Sequence, residues 1–219
     1  MTENKEQPTY QLREMKAELG LLTKSDGSAM FAQGKTTVLA NVNGPVEVSL
    51  QNMNIEKAFV EVYYRPKSGL PSVDDRFMEK FVKQSIEVAL YSELHPRTSY
   101  RIQLQELENR GGVLACAVNT VSLALLNSGL EQKYLVAAVY CAVNEEGEIH
   151  VDPDLRKDQV TQAQMTFVFD SLMTKAVAVH TEGTFTMEQY KKAMDLCRSA
   201  SEKVFEFYRD IIKKTSVLL

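Results

Sequence analysis

The chain of 219 residues is 44% hydrophobic and 25% charged, and its formal net charge is −4. These proportions are ordinary for a soluble globular protein, and the length is sufficient for a buried core. Because a chain with net negative charge does not attract nucleic-acid phosphates as a whole, nucleic-acid binding would require a local cluster of basic residues.

Neither a signal peptide nor a membrane span is predicted. Residues 1–10 are polar and lack the apolar core of a signal peptide, so we expect a flexible N-terminal tail. The longest strongly apolar stretch, residues 135–143, is too short to cross a bilayer. We therefore expect an intracellular protein that does not enter a membrane.

The first half of the chain is predicted to be rich in strands. Apolar runs between turn residues predict five of them, at residues 19–23, 29–31, 36–42, 58–64 and 100–104. A helix is predicted from Asp74 to about Leu90. Its apolar stripe is predicted to contain Phe77, Phe81, Ser85 and Val88.

The second half mixes helices and strands. Residues 109–112 form a loop, and the mostly apolar residues 113–127 predict a buried helix. Further strands are predicted at residues 134–143, 148–151, 165–169 and 176–180. Thr186 and Gln189 form a capping box for a long final helix.

The predicted architecture is α+β, with mixed β-sheets packed on helices and a long C-terminal helix. No linker rich in glycine and serine divides the chain, so a single domain is predicted over residues 1–219. Cys116, Cys141 and Cys197 are widely spaced in apolar sequence and are expected to be buried reduced thiols. The three histidines are scattered, so no histidine-based metal site is predicted.

Gly34, Lys35 and Thr36 resemble the end of a phosphate-binding loop, but the rest of that motif is missing. The first glycine of the motif would fall at Ala29, and residues 36–42 predict a strand where the motif requires a helix. A connection between two strands is predicted instead.

An Asp-rich segment contains Asp152, Asp154 and Asp158. Carboxylates at this spacing can hold Mg²⁺ or act in acid–base chemistry. Pro153 and the lack of a glycine at the calcium-loop position argue against an EF-hand. A solvated turn is the favoured interpretation of Asp152 and Asp154.

A loose basic group surrounds the end of the first predicted helix and the strand that follows. It consists of Lys80, Lys83, Arg97 and Arg101. Such groups are most often solvated surface residues, and nucleic-acid contact is the alternative interpretation.

Motifs between about residues 12 and 212 resemble, in order, those of the RNase PH family. Near the N-terminus the matching residues are Gly20, Asp26, Gly27, Ser28, Ala29, Gly34, Thr36, Gly44 and Pro45. Residues 94–98 resemble the branch of the family that forms exosome rings. The later matches are residues 111–112, 117–119, 122–125 and 181–183. The resemblance implies an RNase PH-like fold.

The resemblance also implies a degenerate phosphate site. Active members of the family cleave RNA from its 3′ end with inorganic phosphate as the nucleophile, and they bind phosphate at a Gly-Gly-Thr-Arg run. That run falls on Gly111, Gly112, Val113 and Leu114. Leucine carries no charge and donates no hydrogen bond, so the bidentate phosphate contact of arginine is lost.

Other catalytic positions are partly retained. Lys83 falls on a family arginine and keeps its charge but not its planar fork. Two family aspartates fall on Asp158 and Gln164, and the glutamine cannot serve as an acid. The basic strand of active members is replaced by residues 61–65, with one arginine left. Asp158 is thus the catalytic residue expected to survive, and phosphorolysis is expected to be absent or very weak.

The function implied by the resemblance is that of a subunit of the exosome core ring. Such a subunit would support 3′-to-5′ RNA processing and degradation, including rRNA maturation and mRNA turnover, in the nucleus, nucleolus and cytoplasm. The expected partners are RNA and other RNase PH-like exosome subunits, without a cofactor. Lys83, Gln84 and Arg97 are predicted to contact nucleic acid.

Two alternatives remain open. One is a hydrolytic nuclease acting on DNA or RNA, with Mg²⁺ at Asp158, which works as a homodimer outside the ring and degrades DNA in apoptosis. A homodimer is expected for a free subunit because the ring-partner surface would otherwise expose apolar area. The other is an assembly module without nucleic-acid affinity.

Overall fold

The computed structural model describes residues 11–154 and 161–218, which form an α+β structure as predicted. The strands are β1 Met15–Leu19, β2 Gly27–Gln33, β3 Thr36–Glu47, β4 Phe59–Arg65, β5 Thr98–Glu108, β6 Val136–Asn144, β7 Ile149–Val151, β8 Thr161–Asp170 and β9 Ala176–Gly183. The helices are α1 Val73–Ala89, α2 Val113–Ser128 and α3 Met187–Leu218.

The first sheet has five strands in the order β1-β2-β3-β5-β4. Its neighbours are antiparallel except β4 and β5, which are parallel because α1 crosses over between them. Burial alternates along β3, where Val38, Ala40 and Val42 are buried and the residues between them are half-buried. The buried face packs on α2, which contacts both β2 and β3.

The second sheet has four antiparallel strands in the order β7-β6-β8-β9. Its central strand β6 contacts both α2 and α3, and eight of its nine residues are buried. A strand covered on both faces is expected to be apolar without alternation, as this one is. The layers therefore run from the first sheet through α1 and α2 to the second sheet and then α3.

The layers share one core that is tied together at a buried amide. The Asn119 side chain on α2 donates to the Ala138 carbonyl at 2.9 Å and accepts from the Ala138 amide at 2.7 Å. The buried Tyr208 hydroxyl of α3 donates to the same asparagine oxygen at 2.9 Å. Because each polar group in this cluster is paired, it joins α2, β6 and α3 without an unsatisfied donor.

Two sequence predictions differ from the structure in register. The first strand is β1, not residues 19–23, because Gly20 adopts a φ of 71° and ends the strand, leaving Leu21 and Leu22 exposed. On α1, Phe77 and Val88 were assigned to the buried stripe, but both are exposed. The buried positions are Phe81, Val82, Ser85, Ile86 and Ala89.

Two other predictions, on the segment at Gly34 and on the cysteines, are confirmed. Gly34 and Lys35 form the turn that joins β2 to β3, so this segment is a connection between strands and not a phosphate-binding loop. The three cysteines are free and buried. Among the described residues, no helix is both long and apolar enough to span a bilayer.

Candidate functional site

The loop before α2 presents an uncapped helix start. Gly111 and Gly112 have φ values of 102° and 68°, which only glycine adopts readily. A Cβ added at Gly112 would lie 3.2 Å from the Tyr140 ring. No side chain caps the helix at Gly112, so the first N–H groups of α2 are left for solvent or a ligand.

Behind this loop lies a largely buried cluster of three residues, which we call the rear clamp. It consists of the ion pair of Arg13 and Asp152 and the neighbouring Thr36. The Arg13 guanidinium donates to Asp152 Oδ1 from Nη2 at 2.6 Å and from Nε at 3.0 Å. The Arg13 backbone N–H donates to Oδ2 of the same carboxylate at 3.0 Å, and Gln33 donates to Oδ2 at 2.9 Å. The carboxylate is thus saturated with donors, as a buried charge requires.

The rear clamp fixes the glycine loop through its carbonyl. Arg13 Nη2 donates to the Gly111 carbonyl at 3.2 Å, and the Thr36 hydroxyl donates to it at 2.8 Å. Thr36 Oγ1 also accepts from the Arg110 backbone N–H at 3.1 Å. The prediction of a solvated turn at Asp152 was wrong, because this residue is 3% exposed and binds a cation 139 positions away.

In front of the loop is a cleft of about 420 Å³. One part of its lining is apolar and consists of Val73, Phe77, Met78, Val113 and Leu114. Leu114, in the position where the family places its arginine, is 8% exposed and belongs to the core. The cleft is therefore apolar at Val113 and Leu114, the two positions where the phosphate-binding hydroxyl and guanidinium are predicted to be lost.

The polar groups of the cleft are acidic or neutral. Asp74 and Glu182 contribute carboxylates, and Gln164 and Thr166 come from β8. Gln164 Nε2 donates to Thr161 Oγ1 at 3.1 Å. Of the residues that the structure describes, no lysine or arginine lines this cleft.

Two aromatic rings of the cleft are in contact and tilted against each other. The Phe77 and His180 ring centroids are 4.6 Å apart at an interplanar angle of 45°, and Phe81 lies behind them with its centroid 6.1 Å from that of His180. His180 Nε2 is 2.9 Å from Glu182 Oε1 on the same strand. Phe77 remains 43% exposed, so one side of its ring is open to a ligand.

A buried hydroxyl forms part of the cleft floor. Tyr140 is 4% exposed and lines the cleft, and its hydroxyl has no hydrogen-bond partner among the described residues. Burial raises the pKa of this hydroxyl well above its ordinary value of 10.0, so it remains a neutral donor. An unpaired buried hydroxyl is unfavourable, and a bound ligand or water would relieve that cost.

The residues predicted to contact nucleic acid lie outside the cleft. The Lys83 ammonium is 4.1 Å from the centroid of the Phe59 ring, a cation–π contact at the edge strand β4. Gln84 and Arg97 are exposed, and the Arg97 backbone N–H donates to the Asn54 carbonyl at 3.0 Å. Phe59 is paired with Ser99, two residues after Arg97, so Lys83 and Arg97 lie near the start of the same pair of strands, β4 and β5.

Asp158, the predicted surviving catalytic residue, lies outside the described residues. Within residues 11–154 and 161–218, no group of three or more histidines, cysteines, aspartates and glutamates is arranged to hold a metal ion. The Mg²⁺ of the hydrolytic hypothesis therefore has no ligand set in that part of the chain, and it stays a prediction tied to Asp158.

Several residues of this site were not identified from the sequence. Arg13 and Asp152 meet only through the tertiary fold, and no local pattern connects them. His180 and Glu182 share one face of β9 by their spacing of two, which a strand prediction extended beyond residue 180 would have indicated. No local sequence pattern marks Tyr140 as a site residue, because it lies in a continuous apolar strand.

Comparisons with known proteins agree with this architecture. Residues 11–131 match the model of domain 1 of the 3′ exoribonuclease family (RNase PH), and residues 134–200 match domain 2. An Oryza sativa protein named exosome complex exonuclease RRP46 homolog is 29% identical, with 93% of this chain and 92% of that protein covered. The Schizosaccharomyces pombe exosome complex component rrp46 is 27% identical, over 90% of this chain and 88% of its own.

A solved structure shows the same fold. The crystal structure of rice Rrp46 superimposes with a TM-score of 0.88 at 29% sequence identity, covering 95% of this chain and 98% of that one. The RNase PH-like fold expected from the sequence motifs is thereby confirmed.

Proposed function

The chain belongs to the RNase PH family of 3′ exoribonucleases, and we propose that it is a ring subunit of the RNA exosome that holds RNA but performs little or no phosphorolysis. The relatives named as exosome components support the first half of this proposal. Its biological role would then be 3′-to-5′ RNA processing and degradation, with other RNase PH-like subunits as partners.

The observation that carries the second half is the charge of the cleft. Phosphate binding requires cationic or strongly donating groups around the anion. Here two carboxylates, Asp74 and Glu182, line the cleft. Val113 and Leu114 occupy the positions where the resemblance places the phosphate-binding residues of active family members. The uncapped start of α2 supplies only backbone donors, with a partial charge of about half a unit. The one imidazole in the described lining, His180, is already bonded to Glu182.

Phosphorolysis can be tested directly. The purified chain is incubated with oligo(A) and inorganic phosphate, and released nucleoside diphosphates are measured. We expect no release above a protein-free control. Vigorous phosphate-dependent release would contradict the proposal.

RNA contact is proposed near the start of β4 and β5, where Lys83 and Arg97 lie. Phosphate contacts make affinity fall with salt, with a slope of about −0.7 per contact for single strands. We expect Lys83→Glu to weaken RNA binding and reduce this slope by roughly one contact. Lys16→Glu is the matched control, since Lys16 is an exposed lysine on the opposite edge strand β1.

Partner surfaces are indicated by exposed apolar side chains. Leu50, Ile55, Leu70, Val73 and Leu172 are each at least 70% exposed. Contiguous exposed apolar patches mark interaction sites, and we propose that these side chains contribute to such patches. Affinity purification of the chain is expected to recover other RNase PH-like subunits, from both nuclear (including nucleolar) and cytoplasmic extracts.

The same apolar side chains favour a second candidate, a homodimer acting outside the ring. In that state the chain would bind or hydrolyse DNA or RNA, with Mg²⁺ at Asp158, and would contribute to apoptotic DNA degradation. Metal-dependent, phosphate-independent cleavage that is abolished by Asp158→Asn would favour this candidate. A monomer by sedimentation, without nuclease activity, would eliminate it.

A further inference from the structure

The side chains of the cleft before α2 are rich in hydrogen-bond acceptors. Oxygen acceptors in its lining come from the carboxylates of Asp74 and Glu182, the amide of Gln164 and the hydroxyls of Thr166 and Tyr140. None of the described residues that line the cleft is a lysine or an arginine. A ligand group that only donates hydrogen bonds matches this set, and ammonium and guanidinium groups are of that kind.

The charge of the cleft also favours a cation. Asp74 and Glu182 contribute two carboxylates, whereas the start of α2 contributes a positive partial charge of only about half a unit. The Asp74 carboxylate has no hydrogen-bond or ion-pair partner among the described residues. Because a cleft with one sign of charge and apolar walls focuses its field, a cation is attracted into it.

The apolar part of the lining indicates that this cation has a hydrocarbon stem. Lysine and arginine lay their methylene groups along apolar surface while the charged head meets polar groups. Val113 and Leu114 provide such a surface beside the carboxylates. Phe77 is 43% exposed, so its ring is open to a cation–π contact. That contact uses the face of one ring and is compatible with the 45° tilt between Phe77 and His180.

The rim of the cleft indicates that the cation belongs to a protein. Val73, which lines the cleft, is 84% exposed, and Leu70, three residues before it, is 89% exposed. A free polyamine would leave this apolar rim in water. A protein segment that inserts one basic side chain would cover the rim with its neighbouring residues, as the apolar centre of a protein interface does.

We propose that the cleft binds a lysine or arginine side chain of a partner protein, with its stem against Val113 and Leu114 and its charged head paired with Asp74 and Glu182. This inference rests on the proposed function, because a ring subunit meets protein partners. It assigns to the cleft a cation in place of the phosphate that active family members bind.

Capped tripeptides test this proposal on the full chain. Arginine, lysine or glutamine is placed between two leucines, and each peptide, spermidine and inorganic phosphate are titrated separately while NMR shifts of the cleft methyl groups are followed. We expect saturable binding of both basic peptides, with the glutamine peptide weaker by about tenfold. Equal binding of the glutamine peptide, or displacement of the arginine peptide by phosphate, would overturn the proposal. Binding of spermidine without binding of the basic peptides would overturn the protein source.

Charge-neutralising variants isolate the carboxylates. Asp74→Asn is expected to weaken the arginine peptide by about three- to fivefold, and its combination with Glu182→Gln by about tenfold or more. Glu188→Gln is the matched control, because Glu188 also lies in the first turn of a helix and does not line the cleft. Thermal melts verify that each variant folds. Unchanged affinity in the folded double variant would refute the ion pairs.

A further substitution isolates the ring. Phe77→Leu keeps an apolar side chain but removes the aromatic face, so we expect the arginine peptide to bind about two- to fivefold more weakly. Phe185→Leu is the control, because Phe185 is a similarly exposed phenylalanine that does not line the cleft. Equal affinities of the two folded variants would remove Phe77 from the site.

Affinity purification separates this inference from the proposed function. We expect the wild-type chain to recover other RNase PH-like subunits and the Asp74→Asn/Glu182→Gln variant to recover less of at least one of them. Equal recovery by both chains rejects the inference and leaves the proposed function standing. If the wild-type chain recovers no such subunit, the proposed function fails, and the peptide titrations still decide whether the cleft binds a basic side chain.

Discussion

The two sides of the glycine loop before α2 differ sharply. Behind it, the rear clamp supplies hydrogen-bond donors to the Gly111 carbonyl and to a buried carboxylate. In front of it, the cleft is apolar and acidic, and the Tyr140 hydroxyl lacks a partner among the described residues. The rear is a closed network that positions the loop, and the front is an open surface with unused polar groups.

The residues that hold the glycine loop in position are therefore different from those that line the cleft. A buried network tolerates little change, because removing one partner leaves another charge unpaired. In the cleft wall, the half-buried Val113 can be exchanged for a polar side chain at small cost, whereas Leu114 is buried in the core. Val113 is therefore a position where the chemistry of the cleft can change without a change in the loop beside it.

The largest expected effect comes from opening the rear clamp. Asp152→Ala leaves the largely buried Arg13 guanidinium unpaired, so we expect the free energy of unfolding to fall by about 3–5 kcal/mol. Urea denaturation followed by circular dichroism measures this change. Glu14→Ala, which removes an exposed ion pair with Lys16, should change it by less than about 0.5 kcal/mol. Similar losses in both variants would show that the clamp is not special.

A smaller effect is expected at Thr36. Replacing it with valine keeps the shape but leaves the buried Gly111 carbonyl and the Arg110 N–H each with one partner fewer. We expect a loss of about 1–3 kcal/mol in the free energy of unfolding, measured in the same way. Thr37→Val is the neighbouring control, because that residue is only half-buried on the other face of β3, and it should be nearly neutral.

The rear also predicts a pH dependence. Burial raises the pKa of the Cys116 thiol from its ordinary 9.0 to about 12. In the unfolded chain this thiol loses its proton near pH 9, while the folded state retains it, so the contribution to stability is complete below pH 9 and declines toward pH 12. We expect Cys116→Ala to remove up to about 1.4 kcal/mol per pH unit from the alkaline slope. Parallel slopes for the two proteins between pH 9 and 10.5 would contradict the assignment.

The smallest effect is expected at the front. Val113→Thr restores the hydroxyl of active family members at a half-buried position on the cleft wall. Because the new hydroxyl can reach the cleft, the free energy of unfolding should change by no more than about 0.5 kcal/mol. A loss above 2 kcal/mol would mean that the front is packed as strictly as the rear, and the contrast between them would disappear.

The sequence predicted most strands and helices because their patterns are local. The capping box at Thr186 and Gln189 is present, with Gln189 Oε1 accepting from the Thr186 N–H at 2.8 Å and the Thr186 hydroxyl accepting from the Gln189 N–H at 3.3 Å. The errors occur where the spacing of the apolar residues fits two different faces of a helix. Phe77 lies at helical spacing from Phe81, yet the buried stripe follows Val82 and Ile86 and rotates Phe77 toward the cleft.

The candidate site was predictable only in part. The family motif located the loop at Gly111 and Gly112 and the substitutions beside it. The partners of that loop were not predictable, because Arg13 and Asp152 come from distant parts of the chain and are joined only by the packing of two sheets. For the same reason Asp152 seemed to be a solvated turn residue, although it is one of the most buried charges in the described chain.

The separation of 139 residues between Arg13 and Asp152 has a consequence for synthesis. When β1 leaves the ribosome, the carboxylate that anchors its start has not been made, and the partner of its guanidinium is water. β1 can pair with β2 early, but the Arg13 side chain that contacts the glycine loop cannot form its ion pair until residue 152 has emerged. The cleft is also lined by residues of β8 and β9, so the nascent protein completes it late. A chain truncated before β7 would carry Gly111 and Gly112 without the contacts that position them.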